Sequence, residues 1–205
     1  MSRKQTSRCR ILADQSGATI VEFGLVSTVF VTTLLGFLDL GHSLYMQSVL
    51  QGAVQKSARD ATLESGKSEA RQSQLDATVR ERVEHLAANS SVTFSRRYFR
   101  DFTKAAQATA EPFQDINNNG RCDDDEPFQD NNHNTIWDRD GGDNGQGGAK
   151  DKVVYTVQIT YPRLFPMARL IGMSEMATVE ARTVLGNQPF GEQGSYGSPT
   201  VGHCP

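Results

Sequence analysis

A membrane-length run of mostly apolar residues, broken by a single carboxylate, constrains this chain more than any other feature. It extends from Gly17 to Leu38, beginning Gly17-Ala18-Thr19-Ile20-Val21-Glu22-Phe23 and continuing without charge. Upstream lie Arg3, Lys4, Arg8 and Arg10, offset only by Asp14. A basic head before such a run marks a targeting segment whose basic end stays cytoplasmic. No A-x-A cleavage pattern follows it. Glu22 is the anomaly, because a charge at membrane depth is costly and seldom stands without a partner. Cutting the chain after Gly17 would supply one: the Ala18 ammonium, a helical turn from Glu22 or beside the Glu22 of a neighbouring copy.

The spacing of Gly17, four residues, Glu22 and the aromatic Phe23 resembles the processing motif of Flp-type type IV pilins. There a prepilin peptidase cuts before the apolar helix, and Phe23 stands where the major Flp pilins carry Tyr. The wider string, Asp14-Gln15-Ser16-Gly17 through Phe37-Leu38-Asp39-Leu40-Gly41-His42-Ser43-Leu44-Tyr45, is similar to the TadE-like minor pilins. At 205 residues the chain is also far longer than a major Flp pilin. The resemblance is strong over the first third of the chain and holds only in outline beyond it. It implies a leader over residues 1–17, and processing and assembly roles for Gly17, Ala18, Glu22 and Phe23. It also implies partners: a prepilin peptidase, other pilins and the inner-membrane pilus assembly proteins. The expected location is the bacterial inner membrane, crossed once, with the C-terminal part in the periplasm or carried into an extracellular pilus. A plain signal anchor with a tolerated Glu remains the alternative.

The helical pattern continues past the apolar run. From Asp39 to about Ser65 there is no Pro, and Leu40, Leu44, Leu50, Val54, Ala58 and Ala61 recur near helical spacing. One helix from Ala18 to about Leu63 is predicted, roughly 70 Å long at 1.5 Å per residue, with Gly66 as its left-handed cap. A second helix is expected from an N-cap at Ser68 to about Asn89, with Leu75, Val79, Val83, Leu86 and Ala87 on one face. Strands are expected near Val92–Phe99, Lys152–Tyr161 and Met176–Leu185, the second alternating most cleanly. The fold class is therefore α+β: a long membrane helix, a second helix, and a small, about three-stranded antiparallel sheet covered by the helices. The apolar connector Leu164–Met173 reads as a short helix closing the core. The expected parts are 1–17, 18–66, 67–110, an acidic insert at 111–150, a strand hairpin at 151–186, and a mobile Gly/Ser/Pro-rich tail at 187–205.

The insert is a tandem repeat. Residues 111–125 read EPFQDINNNGRCDDD and residues 126–140 read EPFQDNNHNTIWDRD, a period of 15. The first copy matches the calcium-loop pattern D-x-[DN]-x-[DN]-G-x5-E at every specified place. Asp115, Asn117 and Asn119 take positions one, three and five, and Gly120 gives the sharp turn. Arg121 offers its carbonyl, while Asp123 and Glu126 take positions nine and twelve. Hard oxygen ligands so phased suit Ca2+, which takes six to eight of them. The second copy keeps Asp130, Asn132, Asn134, the Ile136 carbonyl and Asp138. It departs at position six, with Thr135 for Gly, and at twelve, with Gly141 for Glu, leaving Asp140 or Asp143 to substitute. Pro112 and Pro127 interrupt the flanks where true EF-hand helices would run, so the insert more resembles the helix-poor calcium repeats of dockerins and thrombospondin-type stalks. A solvated acidic loop is the competing account. His133 points outward in this register and has no assigned role.

Cys9 falls in the leader, which leaves Cys122 and Cys204 as a possible disulfide in an oxidising compartment. The formal charge of −3 conceals a basic leader and an acidic insert. No basic patch with interleaved aromatics lies outside the leader, which speaks against nucleic acid. No G-x-S-x-G, H-E-x-x-H, Walker loop or dinucleotide glycine pattern occurs, and four scattered histidines form no constellation. A non-enzyme is expected. Two function classes remain: a processed minor pilin supporting pilus assembly, adhesion or secretion, and a signal-anchored calcium-binding module with no pilus role.

Overall fold

The computed structural model describes residues 17–62, 68–165, 169, 172–189, 191–195 and 197–205. The leader over 1–16 and the Gly66 cap lie outside the described residues, as does part of the 164–173 connector. The architecture is α+β, and the chain divides into two units. The first helix, α1, spans Ala18–Ala61.

The first unit comprises the chain up to Leu44 together with Arg163–Glu175. Within it Arg163 reaches Asp39 Oδ2 at 2.5 Å, and its backbone N–H donates to the Glu175 carbonyl at 2.9 Å. Arg169 and Glu175 form an ion pair. The connector was expected to close the core. At its ends Leu164 and Met173 are exposed, and most of the stretch between them lies outside the described residues. A short apolar run carries no periodicity that separates a core plug from a surface segment.

The second unit comprises Tyr45–Pro162 and Met176–Pro205. Helix α2 (Glu69–Glu84) starts at Ser68, whose hydroxyl accepts the Arg71 N–H at 3.3 Å. It stops at Glu84, earlier than the Asn89 the sequence pointed to. Leu86 and Ala87 still pack inward from the turn that follows, and Asn89 takes a positive φ of 60° ahead of the first strand. That strand, β1 (Ser91–Phe99), leads into a short helix, α3 (Phe102–Gln107), that the sequence reading missed. Asp101 caps α3 by accepting the Thr103 and Lys104 N–H groups.

Strands β2 (Pro127–Asp130), β3 (Asp143–Asn144), β4 (Lys152–Pro162), β5 (Met176–Gly186) and β6 (Thr200–His203) complete the unit. The main sheet is antiparallel in the order β3-β1-β4-β5, so it has a fourth, two-residue strand donated by the insert. Arg97 pairs with Asn144 and Tyr98 with Asp143. Strand β6 pairs with β2, from Pro127↔His203 to Asp130↔Thr200. The tail expected to be mobile is thus corrected at 200–203, where it is a strand bound to the insert.

The core follows from the alternation in β4. Tyr155, Val157, Ile159 and Tyr161 face Met46, Leu50, Ala53 and Val54 of α1, Val79 and Val83 of α2, and Ala177, Val179 and Ala181 of β5. On the other face Val154 packs with Phe99 and with Ala105 of α3. One polar knot joins α2 to the sheet. Arg96 donates to Asp76 at 2.9 and 2.6 Å, and the Tyr155 hydroxyl donates to the same carboxylate at 2.7 Å. Burial and that carboxylate raise the Tyr155 pKa, which keeps the phenol a donor.

Candidate functional site

Two regions carry the sequence-derived functional residues. In the first unit Gly17 lies at the helix start, and its carbonyl accepts the Val21 N–H at 3.3 Å. Ala18 opens α1, with Glu22 and Phe23 exposed one turn on. Ile20, Leu25, Val29, Phe30 and Phe37 are exposed as well, so none of the described residues covers this apolar surface. The hydroxyls among them do not interrupt it. Thr28, Thr32 and Thr33 each donate to a carbonyl one turn back, at 2.7 to 2.8 Å. A helix that satisfies its own polar groups suits hydrocarbon. Among the described residues α1 alone is long and apolar enough to cross a membrane.

In the second unit the two repeat copies fold into the same loop. Asp115 accepts the N–H groups of Asn119 and Gly120 at 3.1 and 2.8 Å, Asn117 accepts from Asn119, and Asn119 accepts from Arg121. Fifteen residues on, Asp130 accepts from Asn134 and Thr135 at 3.2 and 2.9 Å, Asn132 accepts from Asn134, and Asn134 accepts from Ile136. Position six takes a positive φ in both, 74° at Gly120 and 64° at Thr135. The Asn117 and Asn119 amides donate across the first loop to Asp123, and the Asn132 and Asn134 amides donate to Asp138 Oδ2. In each loop the asparagine oxygens accept backbone N–H groups, and the asparagine amides converge on the aspartate at position nine. His133 stands outside, with Nε2 at 2.8 Å from the Ser198 carbonyl.

The two loops are closed from different sides. Glu126 closes the first loop: its N–H donates to the Asp123 carbonyl at 3.1 Å, and Oε1 accepts the Ile116 N–H at 2.7 Å. On the second loop the same two contacts come from Glu111, upstream of both loops. Its N–H donates to the Asp138 carbonyl at 3.0 Å, and Oε1 accepts the Asn131 N–H at 2.7 Å. Asp140 is engaged elsewhere, paired with Arg97, and Asp143 accepts the Asn134 amide at 3.3 Å. The sequence reading missed Glu111 and Arg97. The signal for Glu111 was there, since EPFQD opens both copies and places Glu111 where Glu126 stands.

Electrostatics separate the loops. The Arg97 guanidinium donates to Asp138 Oδ1 at 2.5 Å, to Asp140, and to the Gly142 carbonyl. Burial alone would lower its pKa, but the bonds to Asp140 and Asp138 outweigh that and raise it. Burial raises the Glu111 pKa; N–H groups of Asn131 and Asp138 pull it back, and the Asp138 and Asp130 charges push it up further.

Cys122, at position eight of the first loop, is disulfide-bonded to Cys204, with Cα atoms 5.3 Å apart. The Cys204 N–H donates to the Glu126 carbonyl at 2.9 Å, and Trp137 Nε1 donates to the Glu111 carbonyl at the same distance. Among the described residues no three His, Cys, Asp and Glu side chains gather as a metal-holding group. In these loops the carboxylates alternate with asparagines and carbonyls, the mixed oxygen set that Ca2+ accepts. One atom marks the fit. Glu126 Oε2 is buried with no hydrogen-bond partner, although a buried carboxylate oxygen ordinarily finds a donor or a cation.

Residues 17–59, about a fifth of the chain, match the family model described as TadE-like protein. The N-terminal helix is TadE-like. No curated protein and no solved structure matches the chain. The TadE-like match thus covers α1 almost to its end and stops short of the sheet and the insert.

Proposed function

We propose that this chain is a TadE-like minor pilin, a structural and non-catalytic protein associated with the Tad pilus. A prepilin peptidase cuts after Gly17, and α1 then sits in the inner membrane with Glu22 beside an Ala18 ammonium. The second unit projects into the periplasm or is carried into the pilus, where it supports assembly, adhesion or secretion. The observation that carries this reading is the coincidence of the TadE-like match with an apolar helix that no described residue covers and that holds one carboxylate at its start. N-terminal sequencing of the protein from membranes tests it. A chain beginning at Ala18 is expected; an intact Met1 start favours the signal-anchored module instead.

Calcium belongs to the same proposal. Asp115, Asn117, Asn119, the Arg121 carbonyl, Asp123 and Glu126 would hold Ca2+ in the first loop, and the ion would offset the insert's mutual repulsion. Binding is then coupled to ordering of the loop. The orphaned Glu126 oxygen supports this more than the motif does. Chelation should raise trypsin cleavage after Arg121 severalfold while leaving the far-ultraviolet helix signal intact. Cleavage unchanged by chelator would reduce the first loop to an acidic linker.

A further inference from the structure

The connector between β4 and β5 is longer and more apolar than a hairpin requires. The last rung of the ladder is Pro162↔Met176, and residues 163–175 run between them where about two to five would close the hairpin. Leucine, phenylalanine, methionine and isoleucine make up much of this stretch, and Glu175, at its end, is its one acidic residue. Leu164 and Met173, near its two ends, are 57 % and 52 % exposed.

One side chain closes the base of the connector and fastens it to α1. The Arg163 backbone N–H donates to the Glu175 carbonyl at 2.9 Å, and Nε donates to the Ser174 carbonyl at 3.1 Å. Its Nη1 donates to Asp39 Oδ2 at 2.5 Å. Asp39 is the first residue past the membrane-length run. From Ala18 to Leu38 the helix is about 30 Å long at 1.5 Å per residue, the thickness of a hydrocarbon core. The connector is therefore pinned at the level where α1 leaves the hydrocarbon. The burial of α1 agrees. Leu35, Asp39, His42 and Ser43 form a half-buried stripe on one face, whereas Phe37, Leu38, Leu40 and Leu44 are exposed. Leu35 belongs to the apolar run, so cover on this face begins one turn inside it.

We propose that the base of this connector lies in the lipid headgroup region of the leaflet from which α1 emerges, with Leu164 and Met173 immersed as a second membrane contact beside the span. The proposal rests on the reading of α1 as a membrane helix. An exposed leucine by itself carries no such meaning; its depth, fixed through Asp39, does. The charges fit the same occupant. Arg163 is paired with Asp39 and Arg169 with Glu175, so the charged groups of this face cancel. The second pair is exposed, where pairing contributes little in water. Beside hydrocarbon, pairing is what makes such groups tolerable.

Tryptophan fluorescence of the full chain in phosphatidylcholine vesicles tests the proposal. Trp137→Phe removes the native signal; on that background Leu164→Trp reports the connector and Phe37→Trp reports the span. Lipids carrying a nitroxide near the headgroup should quench both severalfold. Because tryptophan seeks interfaces by itself, Arg163→Gln is added as a control. It unties the connector from Asp39, and should restore most of the Leu164→Trp emission while leaving Phe37→Trp quenched. An intact Cys122–Cys204 disulfide and unchanged circular dichroism show that each variant is folded; if Leu164→Trp unfolds, Met173→Trp takes its place. An unquenched Leu164→Trp beside a quenched Phe37→Trp would overturn the proposal and leave α1 in the membrane. Quenching untouched by Arg163→Gln would overturn it too, as adsorption of the new side chain alone. A Leu164→Trp unquenched by lipid yet shielded from aqueous iodide would assign the face to a second copy of the chain instead. If Phe37→Trp is itself unquenched, the membrane reading of α1 falls and the proposal with it.

Discussion

From Ile116 to Arg121 the first loop lies open to solvent, whereas in the second Asp130, Asn132 and Asp138 are buried against the sheet. Both copies descend from one repeat and share one hydrogen-bond pattern. What differs is the neighbour. The second loop rests on Arg97 of β1, and its continuation becomes β3. The first rests on Cys204 and the β6 strand. An identical Asp/Asn phase can thus be set into a domain core or left at its edge, and the surroundings decide how far each loop is buried.

Removing Arg97 should break this contrast most severely. Arg97→Ala leaves Asp138 and its buried neighbours without their guanidinium, a loss of about 3 kcal/mol by comparison with broken buried pairs. Thermal unfolding of the full chain in detergent should show it, with a smaller loss when CaCl2 is present. No change in Tm would mean that the second loop does not depend on the sheet.

The converse change acts on the first loop. Replacing Cys122 and Cys204 together by Ser removes a closure of 82 residues, at a cost of about 2–4 kcal/mol. Hydrogen exchange should quicken over β6 and the first loop while the second keeps its protection. Equal loss in both would show that the loops order as one body.

A third change is smaller and opposite in sign. Thr135 is β-branched and sits at a φ of 64°, where its counterpart is Gly120. Non-glycine residues there carry about 1–2 kcal/mol of strain. Thr135→Gly should therefore stabilise the second loop by about 1 kcal/mol, read as a higher Tm without CaCl2. A lower Tm would show that Thr135 makes contacts outweighing the strain.

Much of this was legible in the chain itself. The period of the apolar residues placed α1 and the buried face of β4, since helices and half-buried strands impose 3.6- and 2-residue periods. The fifteen-residue repeat marked the Asp and Asn positions that take the same hydrogen bonds in both loops. Glu111 escaped because a calcium-loop pattern is read forward from position one, and this side chain reaches its loop from upstream, through pairing of the two E-P-F-Q segments. β6 escaped for a related reason. Thr200-Val201-Gly202-His203 has no strand-like alternation, and its glycine is there because any Cβ would meet the Phe128 ring at 2.4 Å. Its partner on β2 specifies it more than its own residues do.

The Cys122–Cys204 bond also imposes an order of events on synthesis. At about 5–20 residues per second, the second cysteine follows the first by on the order of ten seconds. During that interval the Cys122 thiol lacks its Cys204 partner, and the Cys122 of another nascent copy can react with it. Crowded insertion of many copies would favour that unwanted cross-link. Early ordering of the first loop around its Asp and Asn oxygens would hold Cys122 in place until Cys204 emerges.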